Sequence, residues 1–332
     1  MIHSVLMPEV SPQATWLGQD PTLPSIILNS HYDVVPALRE HWTHDPFDPK
    51  VLENGLIYGR GTQDMKSVGI QYVEAIYRLK TAGFVPSRNI HLLFVPDEEI
   101  GGVDGMEAFL ASEQFKTIQP VAFAFDEGLA NPNDAFTVFY GERQEALLNA
   151  DSGCKHGDMK KRNLGDVTTV NLNMLESGVS RDGGETHALN VIPTKADTAV
   201  RLYLPSVFLL PQAMLDEWCS SEGLSWEFVS WWKNPLHEHY TTSVDDDNVW
   251  WKLFKQGCEE IGVPVETEVF PAATDSRFLR QLGIPALGFS PMNKTEILLH
   301  EHNECLHQDT FLQGIDVYET LFRHMFAREE EN

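Results

Sequence analysis

The sequence predicts an α/β fold: a mostly parallel sheet flanked by helices and interrupted by a smaller α+β module. Three observations carry this. Short apolar runs alternate with runs of helical period, as in parallel sheets with crossover helices. Acid- and histidine-bearing segments follow several of those runs, where such sheets bind ligands. Between residues 144 and 233 the pattern shifts to period-two alternation, which marks antiparallel strands.

Taken in order, residues 25–30 form a buried strand running into His31. Met65, Val68, Tyr72, Ile76 and Leu79 recur at helical spacing, so a helix begins at Asp64 and ends at Gly83. Residues 90–95 are a strand that ends at Pro96-Asp97-Glu98-Glu99, and a short helix follows over 104–112. Residues 121–125 are a third strand, running into Asp126-Glu127. Beyond Arg143, residues 144–165 are polar and close on Lys160-Lys161-Arg162. Val170, Leu172 and Met174 alternate within 166–175, and Val200, Leu202 and Leu204 within 195–204, giving two strands. A helix over 211–221 and a strand over 225–232 complete this module. The α/β pattern then resumes with helix 249–261, strand 265–270, helix 276–282, strand 286–290 and helix 310–328. In the last, Phe311, Leu312, Ile315, Tyr318, Phe322 and Met325 share one face.

A chain of 332 residues exceeds what one core usually holds. Two domains are expected: a discontinuous one of residues 1–143 and 234–332, and an inserted one of residues 144–233. The formal net charge of −25 makes nucleic acid and anionic membrane poor partners. There is no apolar run long enough for a membrane span, and the first residues lack the basic-then-apolar order of a signal peptide. The four cysteines are far apart and form no CxxC pair, which suits reduced thiols in the cytosol.

Five segments carry the chemistry: Ser30-His31-Tyr32-Asp33, Gly61-Thr62-Gln63-Asp64, Asp97-Glu98-Glu99, Asp126-Glu127-Gly128 and Leu299-His300-Glu301-His302. Taken singly, each has a plainer reading: a strand-end cap, a helix N-cap, a solvated acidic loop. From pattern alone His302 and His307 compete with His300. Jointly, at the ends of successive elements, the segments supply the imidazole and carboxylate donors of a two-zinc site. Asp64 is the bridging candidate, with His31 and Glu127 completing one site and Glu99 and His300 the other. Asp33, two residues past His31 on extended backbone, is placed to orient that ring. Glu98 and Glu99 point apart on an extended segment, so Glu99 is read as ligand and Glu98 as general base. The chemistry is attack of zinc-activated water on a polarised amide carbonyl.

At these residues the sequence resembles the aminoacylase branch of the co-catalytic zinc family, which includes carboxypeptidases, dipeptidases and deacylases. Ser30-His31-Tyr32-Asp33-Val34-Val35-Pro36, Gly61-Thr62-Gln63-Asp64-Met65-Lys66, Asp97-Glu98-Glu99, Asp126-Glu127-Gly128 and Leu298-Leu299-His300 match its motifs. Longer stretches, among them His41-Trp42-Thr43-His44-Asp45-Pro46-Phe47 and Gly288-Phe289-Ser290-Pro291-Met292-Asn293, indicate the aminoacylase branch. The resemblance implies hydrolysis of N-acyl-L-amino acids in the cytosol by a homodimer with two Zn2+ per chain. It selects His300 among the histidines and implies a ferredoxin-like inserted module. By the same resemblance Arg277, in Thr274-Asp275-Ser276-Arg277, holds the substrate carboxylate, and Asn190 contacts substrate.

Two departures from that pattern stand out. Relatives carry a further N-terminal stretch with a first helix. After Tyr140-Gly141-Glu142-Arg143 they continue with a strand, a Gly-His motif and a long helix, where this chain runs directly into Gln144-Glu145-Ala146. The missing histidine is the one expected to stabilise the oxyanion across the dimer. His156 and His187 lie in the same module but outside that motif. The dimer and full turnover are therefore in question for this shortened chain.

Overall fold

A computed structural model describes residues 2–5, 13–142, 144–149, 169–177, 196–204, 216–217, 219–220, 225–227 and 240–327. The chain divides into two compact units. One comprises Met1–Gly141, Tyr240–Glu268 and Thr274–Asn332; the other comprises Glu142–His239 and Val269–Ala273.

The chain opens with strands β1 (Ile2–Val5), β2 (Gln13–Trp16), β3 (Ser25–His31), β4 (Lys50–Val51) and β5 (Leu56–Tyr58). Helix α1 (Lys66–Thr81) and strand β6 (Ile90–Val95) follow, then α2 (Ala108–Ala111), α3 (Glu113–Ile118), β7 (Val121–Asp126) and β8 (Phe136–Glu142). The second unit holds β9 (Gln144–Asn149), β10 (Thr169–Ser177), β11 (Ala196–Leu204) and β12 (Ser225–Glu227). The chain closes with α4 (Val249–Ile261), β13 (Val265–Phe270), α5 (Ser276–Gln281), β14 (Ala286–Phe289), β15 (Cys305–His307) and α6 (Gln308–Met325).

The main sheet has the order β1-β2-β6-β3-β7-β14-β8-β13. Its four central strands, β6, β3, β7 and β14, are parallel, while β2 and β8 flank them antiparallel. The parallel centre is what the apolar runs predict, because every residue of β3 is buried. Alternate β3 side chains serve opposite faces. Ile26 and Leu28 join Val68, Tyr72 and Ile76 of α1 and Tyr318 and Phe322 of α6. Ile27 joins Leu93, Ala124, Phe109, Phe115 and Leu279 on the other face. Helix α1 lies close on β3: a Cβ on Gly69 would stand 2.6 Å from Ser30 Oγ. That close approach seats the residues before α1 over the end of β3.

Several elements differ from the sequence expectation. The first helix begins at Lys66, after an N-cap Met65 that makes no side-chain cap bond. The expected helix over 104–112 is a π-helical turn, Val103–Glu107, running into α2, and α3 was not anticipated. The outer strands β1, β2 and β8 and a small sheet, β15-β5-β4, also lay outside the expectation. The second unit contains an antiparallel sheet, β10-β11-β9-β12. Its β9 occupies the start of the stretch expected to be a polar connection, because Ala146-Leu147-Leu148 there can pair as a strand. Most of the helix expected at 211–221, and the strand beyond Glu227, lie outside the described residues. Among the described residues no helix is long and apolar enough to cross a membrane.

Candidate metal centre

His31 is the last residue of β3, and its ring is buried. Because β6 and β7 flank β3, the turn after β6 brings Glu98 and Glu99 to one side of it. Glu127, one residue past β7, comes to the other side. Ser290 fixes the Glu127-Gly128 turn, since its Oγ accepts from Gly128 N at 3.0 Å and donates to Gly128 O at 2.9 Å. Position 288 must be glycine, as a Cβ there would meet Glu127 O at 2.4 Å. Asp64 arrives from the turn before α1, and His300 from the loop before β15 at a positive φ of 63°.

The donor atoms converge in two sets. His31 Nε2 is 2.8 Å from Asp64 Oδ1 and 3.5 Å from Glu127 Oε2. His300 Nε2 is 3.2 Å from Asp64 Oδ2 and 3.0 Å from Glu99 Oε2. Asp64 thus offers one oxygen to each set. Within each triad, His31-Asp64-Glu127 and Asp64-Glu99-His300, the donor atoms lie within 4.8 Å of one another. The first triad is buried, whereas His300 keeps half of its side chain exposed. His302 and His307 point elsewhere: His302 stacks on His41, and His307 caps α6 by accepting from Asp309 N.

Asp33 has more to do than orient His31. Its Oδ1 lies 3.3 Å from His31 Nδ1 and accepts from Glu98 N at 3.2 Å, and its Oδ2 accepts from Glu99 N at 3.0 Å. Glu98 and Glu99 stand in a 3-10 turn, Glu98–Ile100, rather than on the extended backbone the sequence suggests. They still part: Glu99 reaches His300, while Glu98 is felt electrostatically by Glu127, His31, Asp275 and Arg277. Arg277 is half-buried and donates to Thr274 O at 3.1 Å and Gly101 O at 2.9 Å. Asn190 lies outside the described residues, as do His156 and His187.

Sequence reasoning missed Glu304, a fully buried acid whose carboxylate accepts from the backbone of the Asp64 turn. It also missed Arg280, which is buried and donates to Phe139 O and Ala286 O. The partners of Glu304 and the Phe139 carbonyl that Arg280 meets lie far away in sequence, so no local spacing announces them.

Electrostatics make this a site for cations. Burial would lower the His31 imidazole, but the carboxylates of Glu127, Asp33 and Asp64 outweigh it and hold the ring well above its usual range. Burial likewise opposes protonated His300, yet Asp64 and Glu99 push it up to about 10. Burial and the neighbouring Asp64 hold Glu127 well above the ordinary carboxylate range, and burial and Glu127 do the same for Glu98. Carboxylates crowded this closely repel one another, and cations between them relieve the repulsion. Two imidazoles and three carboxylates, one of them shared, are a donor set that zinc accepts. The residues fit a two-ion cluster.

The sequence profile of peptidase family M20/M25/M40 matches residues 27–324. Mouse (Mus musculus) aminoacylase-1 is 44% identical over 341 residues, covering 92% of this chain and 80% of the relative. The aligned span is longer than this chain's 332 residues, so the relative has positions without a counterpart here. Among solved structures, an M20 family metallo-carboxypeptidase from Sulfolobus solfataricus superposes with a TM-score of 0.74 at 16% identity, covering 98% of this chain and 90% of that one. A dinuclear metal binding M20 peptidase from Bacillus subtilis gives a TM-score of 0.57 at 15% identity, covering 96% and 86%. These two likenesses establish the fold. The profile match takes in every residue placed at the site, and the chain belongs to peptidase family M20/M25/M40, on its aminoacylase branch.

Proposed function

We propose that this chain is a zinc-dependent amidohydrolase that cleaves N-acyl-L-amino acids to a carboxylate and a free L-amino acid. The observation that carries the reading is the pair of donor triads meeting at Asp64. The 44% identity to aminoacylase-1 supports the substrate class. His31, Glu127 and Asp64 would hold one ion and Glu99, His300 and Asp64 the other, two per chain. Zinc bound there would supply Lewis acidity toward the amide carbonyl and would ease ionisation of the attacking water.

The chain's own residues do the rest. The Glu98 carboxylate takes a proton from the attacking water and returns it to the leaving amine nitrogen. Asp33 keeps His31 in register and holds the Glu98-Glu99 turn through two backbone N–H groups. Arg277 is assigned to the substrate carboxylate, for which its planar fork is suited. Its bond to Gly101 O anchors it beside the turn that bears Glu98. Asn190 is assigned a further substrate contact. A cytosolic setting is supported by the free thiols of Cys219, Cys258 and Cys305, and a homodimer by the family resemblance.

One observation favours a second reading, a zinc-binding chain with impaired turnover. The relative has positions this chain lacks, and the stretch expected after Arg143 carries the oxyanion histidine. Loss of such a donor typically costs a factor of about 10²–10³. Hydrolysis of N-acetyl-L-methionine by the zinc-loaded chain decides between them. Turnover abolished by Glu98→Ala supports the enzyme. Two bound ions without turnover support the second reading, and less than one ion per chain refutes both.

A further inference from the structure

The loop that carries Asp64 and the loop that carries His300 are laced together by three side chains, none of them in either triad. Glu304 supplies the acceptors. Its Oε1 accepts from Gln63 N at 2.7 Å and Asp64 N at 3.2 Å, and its Oε2 from Gly61 N at 2.9 Å and Arg60 Nη1 at 2.9 Å. Arg60 returns the contact, donating to Glu301 O at 3.1 Å and His300 O at 3.4 Å. Gln63 completes it: its Oε1 accepts from Leu298 N at 3.0 Å, and its Nε2 donates to Glu296 O at 3.0 Å and Cys305 O at 2.8 Å.

Glu304 and Arg60 are both buried, at 0% and 7% exposure. An ion pair so placed is a poor source of stability compared with apolar packing. Four convergent donors on one carboxylate, three of them main-chain N–H groups, are instead a device for fixing backbone. The backbone fixed is that of Asp64, the residue both triads share. The same lacing grips the carbonyls of His300 and Glu301, on the loop that delivers the second imidazole.

We propose that Glu304 is a positioning residue for the metal cluster, holding the shared carboxylate of Asp64 in register with His300. The inference rests on the reading of the two triads as a metal centre. Outer partners of metal ligands of this kind typically contribute about 10- to 100-fold in metal affinity. Glu304→Gln keeps the shape but removes the charge, and turns one acceptor into a donor facing other donors.

The test is competition of the apo chain against a chromogenic chelator for Zn2+, with the visible spectrum of the Co2+-loaded chain as a second readout. The expected result is a zinc affinity at least about tenfold weaker for Glu304→Gln and a changed Co2+ spectrum, with circular dichroism unaltered. Wild-type affinity and spectrum in a folded Glu304→Gln chain overturn the proposal. Should that variant fail to fold, Glu304→Asp decides: it keeps the charge but shortens the reach. Weakened zinc binding in folded Glu304→Asp supports the brace, and wild-type binding overturns it. A wild-type chain that binds no zinc refutes the metal centre itself, an outcome separable from a brace that proves dispensable.

Discussion

Asp33 Oδ2 accepts the backbone N–H of Glu99 at 3.0 Å, so an acid on the loop after β3 sets the turn that follows β6. Its other oxygen faces His31 Nδ1 at 3.3 Å. Asp33→Asn would place an amide donor against one of these donors. Activity is expected to fall about 10- to 100-fold with weaker zinc binding. Steady-state kinetics beside metal analysis check this, and unchanged values for both would count against the assignment.

The two triads differ in exposure, which separates their ions experimentally. His300 is half exposed, whereas His31 and Glu127 are buried. His300→Ala is expected to retain about one zinc per chain, because His31, Asp64 and Glu127 still form a three-donor set. Asp64→Asn is expected to lose both, since each triad depends on it. Elemental analysis after gel filtration reads the stoichiometry, and equal losses in the two variants would contradict the sharing of Asp64.

His91 ties stability to pH. Burial pushes its imidazole down to about 4, and its Nδ1 lies 2.9 Å from Thr15 Oγ1. In the unfolded chain it titrates near 6.5. Below that pH the unfolded state takes up a proton that the native state refuses. The His91 contribution is therefore complete above about pH 6.5 and is lost as pH falls toward 4, about 3 kcal/mol in all. His91→Gln should flatten the pH dependence of denaturant unfolding between pH 7 and pH 4.5. Parallel curves for the two chains would remove His91 as the cause.

Phe125 stands two residues before Glu127, fully buried among Phe123, Phe254, Tyr318 and Phe322 at centroid distances of 5.0 to 6.4 Å. Phe125→Ala should destabilise the fold by about 3–5 kcal/mol through lost packing and the cavity left behind. Chemical denaturation measures it, and a loss below about 1 kcal/mol would mean that the site collapses around the gap.

The fold was most legible where one physical cause dominates. Strand Ile90–Val95, helix Val249–Ile261 and strand Val265–Phe270 fall where the apolar pattern places them. Outer strands such as β2 and the short β4 and β5 were hidden, because a strand of two to four residues carries too few side chains to show a period. At the site, His31, Asp64, Glu99 and Glu127 were readable because each follows or precedes an element closely, whereas His300, in a loop, was singled out from His302 and His307 only by the family motif; the structure brings the five residues' donor atoms together. Glu304 was not, and Asp33 was readable as the partner of His31 but not as a holder of main chain. Glu304 serves N–H groups some 240 positions upstream, and Asp33 serves N–H groups 65 and 66 positions on. Backbone amides are the same at every residue, so nothing in the sequence marks which of them an acid will meet.

The span of the ligand set has a consequence for folding. Its first donor, His31, comes early in the chain and its last, His300, near the end. Ions held by the two triads would link His31 to His300 through the shared Asp64, closing a loop from residue 31 to residue 300, the kind of closure that most restricts an unfolded polypeptide. A chelator would then do more than silence chemistry: it would return to the unfolded ensemble the freedom of two distant segments that the ions had tied together.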